Sequence, residues 1–135
     1  MTPQSRPEAL LPLKSIETLM LTMLASVERH GYGIRQDILD HSGGRIELEV
    51  GSLYRQIRRL ESNGLIEPAS QRRAAAGDDE PRINRDDERR IYYRLTPFGR
   101  RVLAAEMLRL RELVRLAEAK HIIAPGRAWI GSSGQ

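Results

Sequence analysis

Residues 46–66, IELEVGSLYRQIRRLESNGLI, carry the pattern on which the fold prediction depends. Leu53, Ile57 and Leu60 recur at spacings of four and three, which places them on one face of a helix. The Asn-Gly pair at 63–64 follows, and both residue types accept the backbone conformation with which helices end. An apolar pair comes next and indicates a strand. The stretch therefore predicts a helix with one buried face, followed directly by a strand.

The other faces of this helix carry hydroxyl and guanidinium groups, from Ser52, Tyr54, Arg55, Arg58 and Arg59. Such groups can bind phosphates and base edges, and arginine suits both because its donors form a planar fork. The alternative is a solvated helix face, with the arginines paired to Glu61. Tyr54 either faces the ligand or packs against the preceding helix, and the sequence leaves both open.

Composition limits the classes of protein that fit. The chain has 135 residues, enough for one domain, with a net charge of +4 and a pI near 9.9. Only Lys14 and Lys120 are lysines, so 22 − 2 = 20 of the basic residues are arginine. There is no cysteine, no long apolar run and no signal-peptide pattern, so we expect a cytoplasmic protein without a membrane span.

Two further helices are expected before the quoted stretch, at about 13–29 and 32–41. The glycines of the HGYG sequence at 30–33 permit a sharp turn between them. The first helix has a main apolar stripe that leaves Leu13 and Leu21 on a second face, which either contacts another subunit or belongs to a well-buried core helix. The alternation at 46–49 predicts a very short strand or an extended linker. Three helices joined by short connections are typical of a helix-turn-helix domain.

A hairpin, or wing, is predicted after the third helix. Its strands are the short apolar run at 65–66 and the sequence IYYRL at 91–95. The long polar segment 71–90 joins them, and its arginines lie nearest the strands. Arg72, Arg73, Arg89 and Arg90 are therefore candidates for phosphate or minor-groove contact, and Tyr32 and Lys14 are weaker phosphate candidates.

A long final helix should run from about 97 to 120, because Thr96 suits the cap position and Pro97 the first turn. One seam along it comprises Leu103, Met107, Leu110, Val114 and Ala117. So wide an apolar surface predicts pairing with a second copy of the chain, with Leu21 as a further interface candidate. The alternative is a helix that folds back on its own domain.

The sequence therefore divides into four parts: a flexible arm at 1–12, a winged helix-turn-helix domain at 13–96, a dimerisation helix at 97–120 and a disordered tail at 121–135. The arm is either a disordered tail or a segment that grips DNA. The expected fold class is mainly α with a small β-wing.

Enzyme chemistry is not indicated. His30, His41 and His121 are far apart in sequence and lack metal-ligand spacing. No phosphate-binding glycine loop, nucleophile elbow or HExxH motif occurs. We therefore expect no catalytic residue, no metal and no cofactor.

The combined motifs resemble the PadR-like winged-helix transcriptional regulators. The likeness lies in HGYGI at 30–34, GSLY at 51–54 with RLE at 59–61 and GLI at 64–66, and YYRLT at 92–96 with Gly99. It spans about residues 13–120 and is closest to the branch with a single C-terminal helix, in which that helix dimerises. Arg55 stands where the family often has proline, and the wing tip is longer and more acidic than usual.

The resemblance implies a homodimeric repressor that binds an inverted-repeat operator in double-stranded DNA. Some short members bind drugs in a pore lined by tryptophan from the last helix, but this chain has no tryptophan there. The resemblance therefore indicates no particular small-molecule effector. The alternative function is a winged helix that binds a protein partner without specific DNA binding.

Overall fold

The computed structural model describes residues 6–69 and 91–126. Within these ranges the chain forms a 3-10 turn, four α-helices and three short strands. They are the 3-10 turn Pro7–Leu10, α1 Ser15–Met23, β1 Arg29–His30, α2 Gly31–His41, α3 Val50–Ser62, β2 Ile66–Pro68, β3 Tyr92–Leu95 and α4 Pro97–Ala119. The expected mainly α winged helix-turn-helix with a long C-terminal helix is confirmed.

One apolar core joins α1, α2, α3 and the first turns of α4. Side chains with at most 3% of their surface exposed include Met20, Leu21, Leu24, Ile34, Ile38, Leu53, Ile57, Leu60 and Val102. Burial of apolar surface is the main force that holds such helices together. The predicted seam of α3 is confirmed, because all three of its residues belong to this core.

The first helix is shorter than predicted. It ends at Met23, and residues 24–28 form turns that lead into β1. Leu13 and Leu21 are buried, whereas Val27, which lies beyond the end of α1, is 38% exposed. Both faces of α1 are buried because this helix packs against both α2 and α4. The alternative of a well-buried core helix is therefore correct.

The sheet has the order β1-β3-β2 with both pairings antiparallel. The hairpin strands β2 and β3 were expected, and Tyr93 and Leu95 of β3 are buried in the core. Strand β1 was not predicted. Residues 45–49 contain no strand, so they form the linker that was the alternative.

Caps fix both ends of the connection between the wing and the helices. Gly64 has a φ of 77°, a conformation that glycine adopts without cost, and it ends α3 after Asn63. Thr96 caps α4, because its hydroxyl accepts the Gly99 N–H at 2.8 Å.

The segment before α1 is not a loose arm over the residues described. The 3-10 turn packs against α4, and Leu10 and Leu11 lie against the core. The Leu13 N–H donates to Glu106 Oε1 at 3.4 Å. The expectation for residues 1–5, and that of a disordered tail over 127–135, lies outside the described residues.

Glu106 is a buried carboxylate with 1% of its surface exposed. Arg109 donates to both of its oxygens, Nε to Oε1 at 2.9 Å and an NH2 group to Oε2 at 2.8 Å. These hydrogen bonds hold the pKa of Glu106 below its usual value against the opposing effect of burial. The ionised form is therefore favoured in the folded protein.

We expect Glu106→Gln to lower the free energy of unfolding at pH 7 by about 1.5 kcal/mol, near the low end for charge-assisted hydrogen bonds because Arg109 is at the surface. Since folding depresses this pKa, the stability it provides is complete above the usual value of 4.5 and is lost as pH falls through the lowered pKa. Urea denaturation at pH 7 and at acid pH measures both effects. Glu112→Gln, in an exposed pair with Arg115, is the control, and an equal loss in both variants would contradict the prediction.

Candidate nucleic-acid interface

Helix α3 presents one continuous exposed stripe opposite its buried seam. Its members recur at i, i+4, i+7 and i+11 and are Gly51, Arg55, Arg58 and Ser62. All four are exposed, whereas the seam residues are at most 1% exposed. This stripe, called the α3 stripe below, is the part of the helix that a duplex can reach.

Arg55 and Arg58 are the cations of the α3 stripe. Within the described residues, neither forms an ion pair with a carboxylate. Burial raises the pKa of the neighbouring Glu61, and the charge of Arg58 partly offsets that rise. The two guanidinium groups lie three residues apart on one helix face, so both are available to the same bound polyanion.

Arg59 has a different environment from the one expected. Its Nε lies 3.2 Å from Oε2 of Glu17, a carboxylate in α1 whose side chain is only 7% exposed. The other oxygen, Glu17 Oε1, accepts the Lys14 N–H at 2.9 Å. Arg59 therefore links α3 to α1 through an ion pair. The sequence did not predict this pair, because helical spacing relates Arg59 only to residues of its own helix, such as Glu61.

Tyr54 packs against α2, which was one of the two readings left open. Its ring meets that of Tyr32 edge to face, with centroids 6.2 Å apart. A Cβ on Gly31 would lie 2.8 Å from the Tyr54 hydroxyl oxygen, so glycine is needed there for this packing. Tyr32 and Ser52 are half-buried at the edges of the exposed surface.

Arg35 holds the linker that leads into α3. Its Nε donates to the Leu48 carbonyl oxygen at 2.6 Å, and an NH2 group donates to Glu47 at 3.2 Å. These bonds join α2 to the residues just before α3. The first turn of α3 is therefore positioned from both sides, by Arg35 at the linker and by the core at the seam.

The first wing strand, β2, follows α3 in the chain and packs against it. Glu67 and Arg94 face each other across β2 and β3 with a 3.0 Å ion pair. Tyr93 points inward, and burial, followed by the charge of Glu61, raises its pKa to about 12.

The wing candidates Arg72, Arg73, Arg89 and Arg90 lie outside the described residues. Lys14 is exposed at the start of α1.

The candidate interface residues divide into two groups. Leu21 has no exposed surface and Leu103 is 7% exposed, so both belong to the subunit's own core and their assignment to a second subunit is corrected. Met107 and Val114 are 39% and 48% exposed, and Leu110 and Ala117 are half-buried. Other large apolar side chains are exposed beside them, namely Leu108, Leu113, Leu116, Ile122 and Ile123.

Residues 6–69 and 91–126 contain neither a metal-binding cluster nor a membrane-spanning helix. No group of histidine and carboxylate side chains is arranged to hold a metal ion. No helix in the same ranges combines the length and apolar character needed to cross a bilayer. His30 instead caps α2, where its Nδ1 accepts the Gly33 N–H at 3.0 Å.

Comparison with known proteins agrees with this geometry. A protein of Lysinibacillus sphaericus described as uncharacterised is 30% identical over 109 residues, which cover 80% of this chain and 84% of that protein. The structure of a PadR-like transcriptional regulator from Bacillus cereus superposes with a TM-score of 0.57 at 17% identity, covering 82% of this chain and 93% of that one.

A transcriptional regulator from Clostridium thermocellum superposes with a TM-score of 0.54 at 22% identity, covering 82% of this chain and 93% of the other. The model of the transcriptional regulator PadR-like family matches residues 20–105, which is more than half of the sequence. The match includes α2, all of α3, the wing strands and the start of α4. The chain therefore belongs to the PadR-like family of transcriptional regulators.

Proposed function

We propose that the protein is a sequence-specific regulator that binds double-stranded DNA as a homodimer and acts as a repressor at an inverted-repeat operator. The observation that carries the proposal is the pair Arg55 and Arg58, two exposed arginines on the outer face of α3 that form no ion pair with a carboxylate in the described residues. A helix of this kind fits the major groove, where arginine can bind phosphates or guanine edges.

Affinity and sequence choice would come from different contacts. Phosphate contacts by cations supply most of the affinity and make it depend on salt, whereas side chains at base edges select the sequence. Arg55 and Arg58 are the leading candidates for both, with Ser52, Tyr32, Lys14 and the wing arginines as flanking contacts. Tyr54 would serve mainly by holding α3 against α2, since its hydroxyl is buried.

The second copy would bind along α4. Past Glu106 this helix has no buried residue, yet it carries Met107, Leu110, Val114 and Ala117 at spacings of three and four. Exposed apolar area of this extent is typical of an interaction surface. Two such helices packed together would place two α3 stripes on one duplex, and simultaneous binding would raise the affinity without new kinds of contact.

Repression follows from occupancy. A dimer that covers an inverted repeat in a promoter would exclude other proteins from that DNA until it dissociates. The support for repression, rather than activation, is the likeness to the PadR-like regulators. A protein that acts on the chromosome shares its compartment, which agrees with the cytoplasmic location expected from the sequence.

Titration of the purified protein with a duplex from upstream of its own gene, and with a scrambled duplex, tests the proposal at two salt concentrations. We expect tight binding to the upstream duplex and weak binding to the scrambled one. Both affinities should fall steeply with salt because each phosphate contact releases a counterion. Affinity that is independent of salt would contradict binding through arginine.

For the dimer, we expect Met107→Glu to yield monomers and to weaken operator binding by at least about tenfold, since the second half-site is lost. Multi-angle light scattering measures the mass, and Ala104→Glu is the matched control because Ala104 is exposed on α4 outside the seam. A wild-type protein that is monomeric at micromolar concentration, or a Met107→Glu variant with unchanged mass, would rule out this interface.

A further inference from the structure

Gly51 occupies a position for which the subunit itself offers no reason to exclude a side chain. It lies in the first turn of α3 and is exposed. A Cβ built there would have only one neighbouring atom within 4 Å, an Arg55 guanidinium nitrogen at 4.0 Å, which is an ordinary contact. Glycine in a helix is less favourable than alanine, so its presence here lowers helix stability.

The other helical glycines have structural reasons. A Cβ on Gly99 would overlap the Leu65 carbonyl oxygen, and one on Gly31 would press against Tyr54. A Cβ on Gly33 would be tight against the Arg29 side chain at 3.0 Å. Within the helices of the described residues, Gly51 alone has open space around its missing side chain.

Gly51 lies on the face of α3 that is proposed to contact DNA. Gly51 is the first member of the α3 stripe, on the same face as Arg55 and Arg58. Because the guanidinium of Arg55 lies beside the empty Cβ position, a group bound by Arg55 would also meet the backbone at Gly51. Glu49, the cap residue, makes no side-chain hydrogen bond to the first turn, so that side chain does not occupy the backbone donors there.

We propose that Gly51 is a determinant of DNA binding through its lack of a side chain, which lets the backbone of α3 approach the duplex closely beside Arg55. This inference rests on the proposed DNA-binding function and identifies the point of closest approach. A methyl group at position 51 would hold the helix away from the groove and lengthen the Arg55 contact. Larger side chains would do so to a greater extent.

The test is a comparison of wild type, Gly51→Ala and Gly51→Leu for affinity to the upstream duplex, melting temperature and mass in solution. We expect Gly51→Ala to weaken DNA binding by at least tenfold and Gly51→Leu by more. The melting temperature should be unchanged or higher in Gly51→Ala, and the mass unchanged in both. Loss of binding together with a gain of stability separates contact with DNA from a structural role.

Gly126→Ala is the matched control, because it is an exposed glycine outside α3 whose added Cβ would make only an ordinary 3.6 Å contact. It should bind DNA as wild type does. Equal affinity of wild type and Gly51→Ala would overturn this inference while leaving the proposed function in place. A lower melting temperature in Gly51→Ala would also overturn it, since glycine would then be required by the fold. If the wild type bound no DNA, both proposals would fail.

Discussion

Replacement of both Arg55 and Arg58 by alanine is expected to weaken DNA binding by about thirtyfold or more. Each well-placed arginine contact contributes about 1–3 kcal/mol, so the loss of two corresponds to about 2–6 kcal/mol. Both side chains are exposed and form no ion pair in the described residues, so the melting temperature should not change. Fluorescence anisotropy at several salt concentrations measures the effect. The negative slope of log affinity against log salt should become shallower by about 2, because two phosphate contacts are lost.

The charge-matched control is Arg111→Ala with Arg115→Ala, two exposed arginines of α4 outside the seam. Equal losses in the two double variants would show a general effect of charge and contradict a role for the α3 stripe. Arg59→Ala is unsuitable as a probe of DNA contact. It would leave the buried carboxylate of Glu17 without its ion pair, and so weaker binding could come from displacement of α3.

The largest effect on stability is expected from Gly99→Ala. Gly99 lies in the first turn of α4, where an added Cβ would overlap the Leu65 carbonyl oxygen and come within 2.8 Å of its carbon. Both neighbours are backbone atoms that cannot rotate away. The same oxygen accepts the Thr96 N–H at 3.0 Å, so a shift of α4 would also break a bond between the wing and the helix.

We expect Gly99→Ala to lower the free energy of unfolding by about 3 kcal/mol or more, the upper part of the range for overpacking. For a chain of this size that is a fall of roughly 10 °C in melting temperature. Thermal and urea denaturation measure it, with Gly126→Ala as the control because its Cβ has room. A melting temperature within about 2 °C of wild type would show that the start of α4 is not packed as described.

Features set by local pattern were predictable from the sequence. The α3 seam repeats at helical spacing, and the residues that end α3 and cap α4 are of the types that such positions need. The two wing strands were predicted from their apolar patterns, and the family resemblance added the class of function. Because the family consists of transcriptional regulators, the expectation that the chain is not an enzyme is confirmed.

Features set by tertiary contacts were not predictable. Strand β1 has only two residues and exists because Arg29 and His30 pair with β3. Helical spacing placed the apolar residues Leu21 and Leu103 on particular helix faces. It did not show that both faces pack against the subunit's own core. Likewise, a single helix wheel contains no information on Glu17, which lies 42 positions before Arg59 in the chain and pairs with it in space.

Gly51 illustrates a third case. In the sequence Gly51 is only the first residue of the GSLY motif, and no periodic pattern marks a glycine as a contact residue. Only the space around its missing side chain, together with its place on the α3 stripe, distinguishes it from the glycines required by packing.

The most direct test of specific DNA binding is selection of duplexes from a random-sequence library by the purified full-length protein, with the Arg55→Ala, Arg58→Ala double variant in parallel. We predict that wild type enriches an inverted repeat whose half-sites lie about one helical turn apart. The double variant should enrich no sequence. No enrichment by folded wild-type protein would contradict the proposed function and favour a winged helix that binds a protein partner.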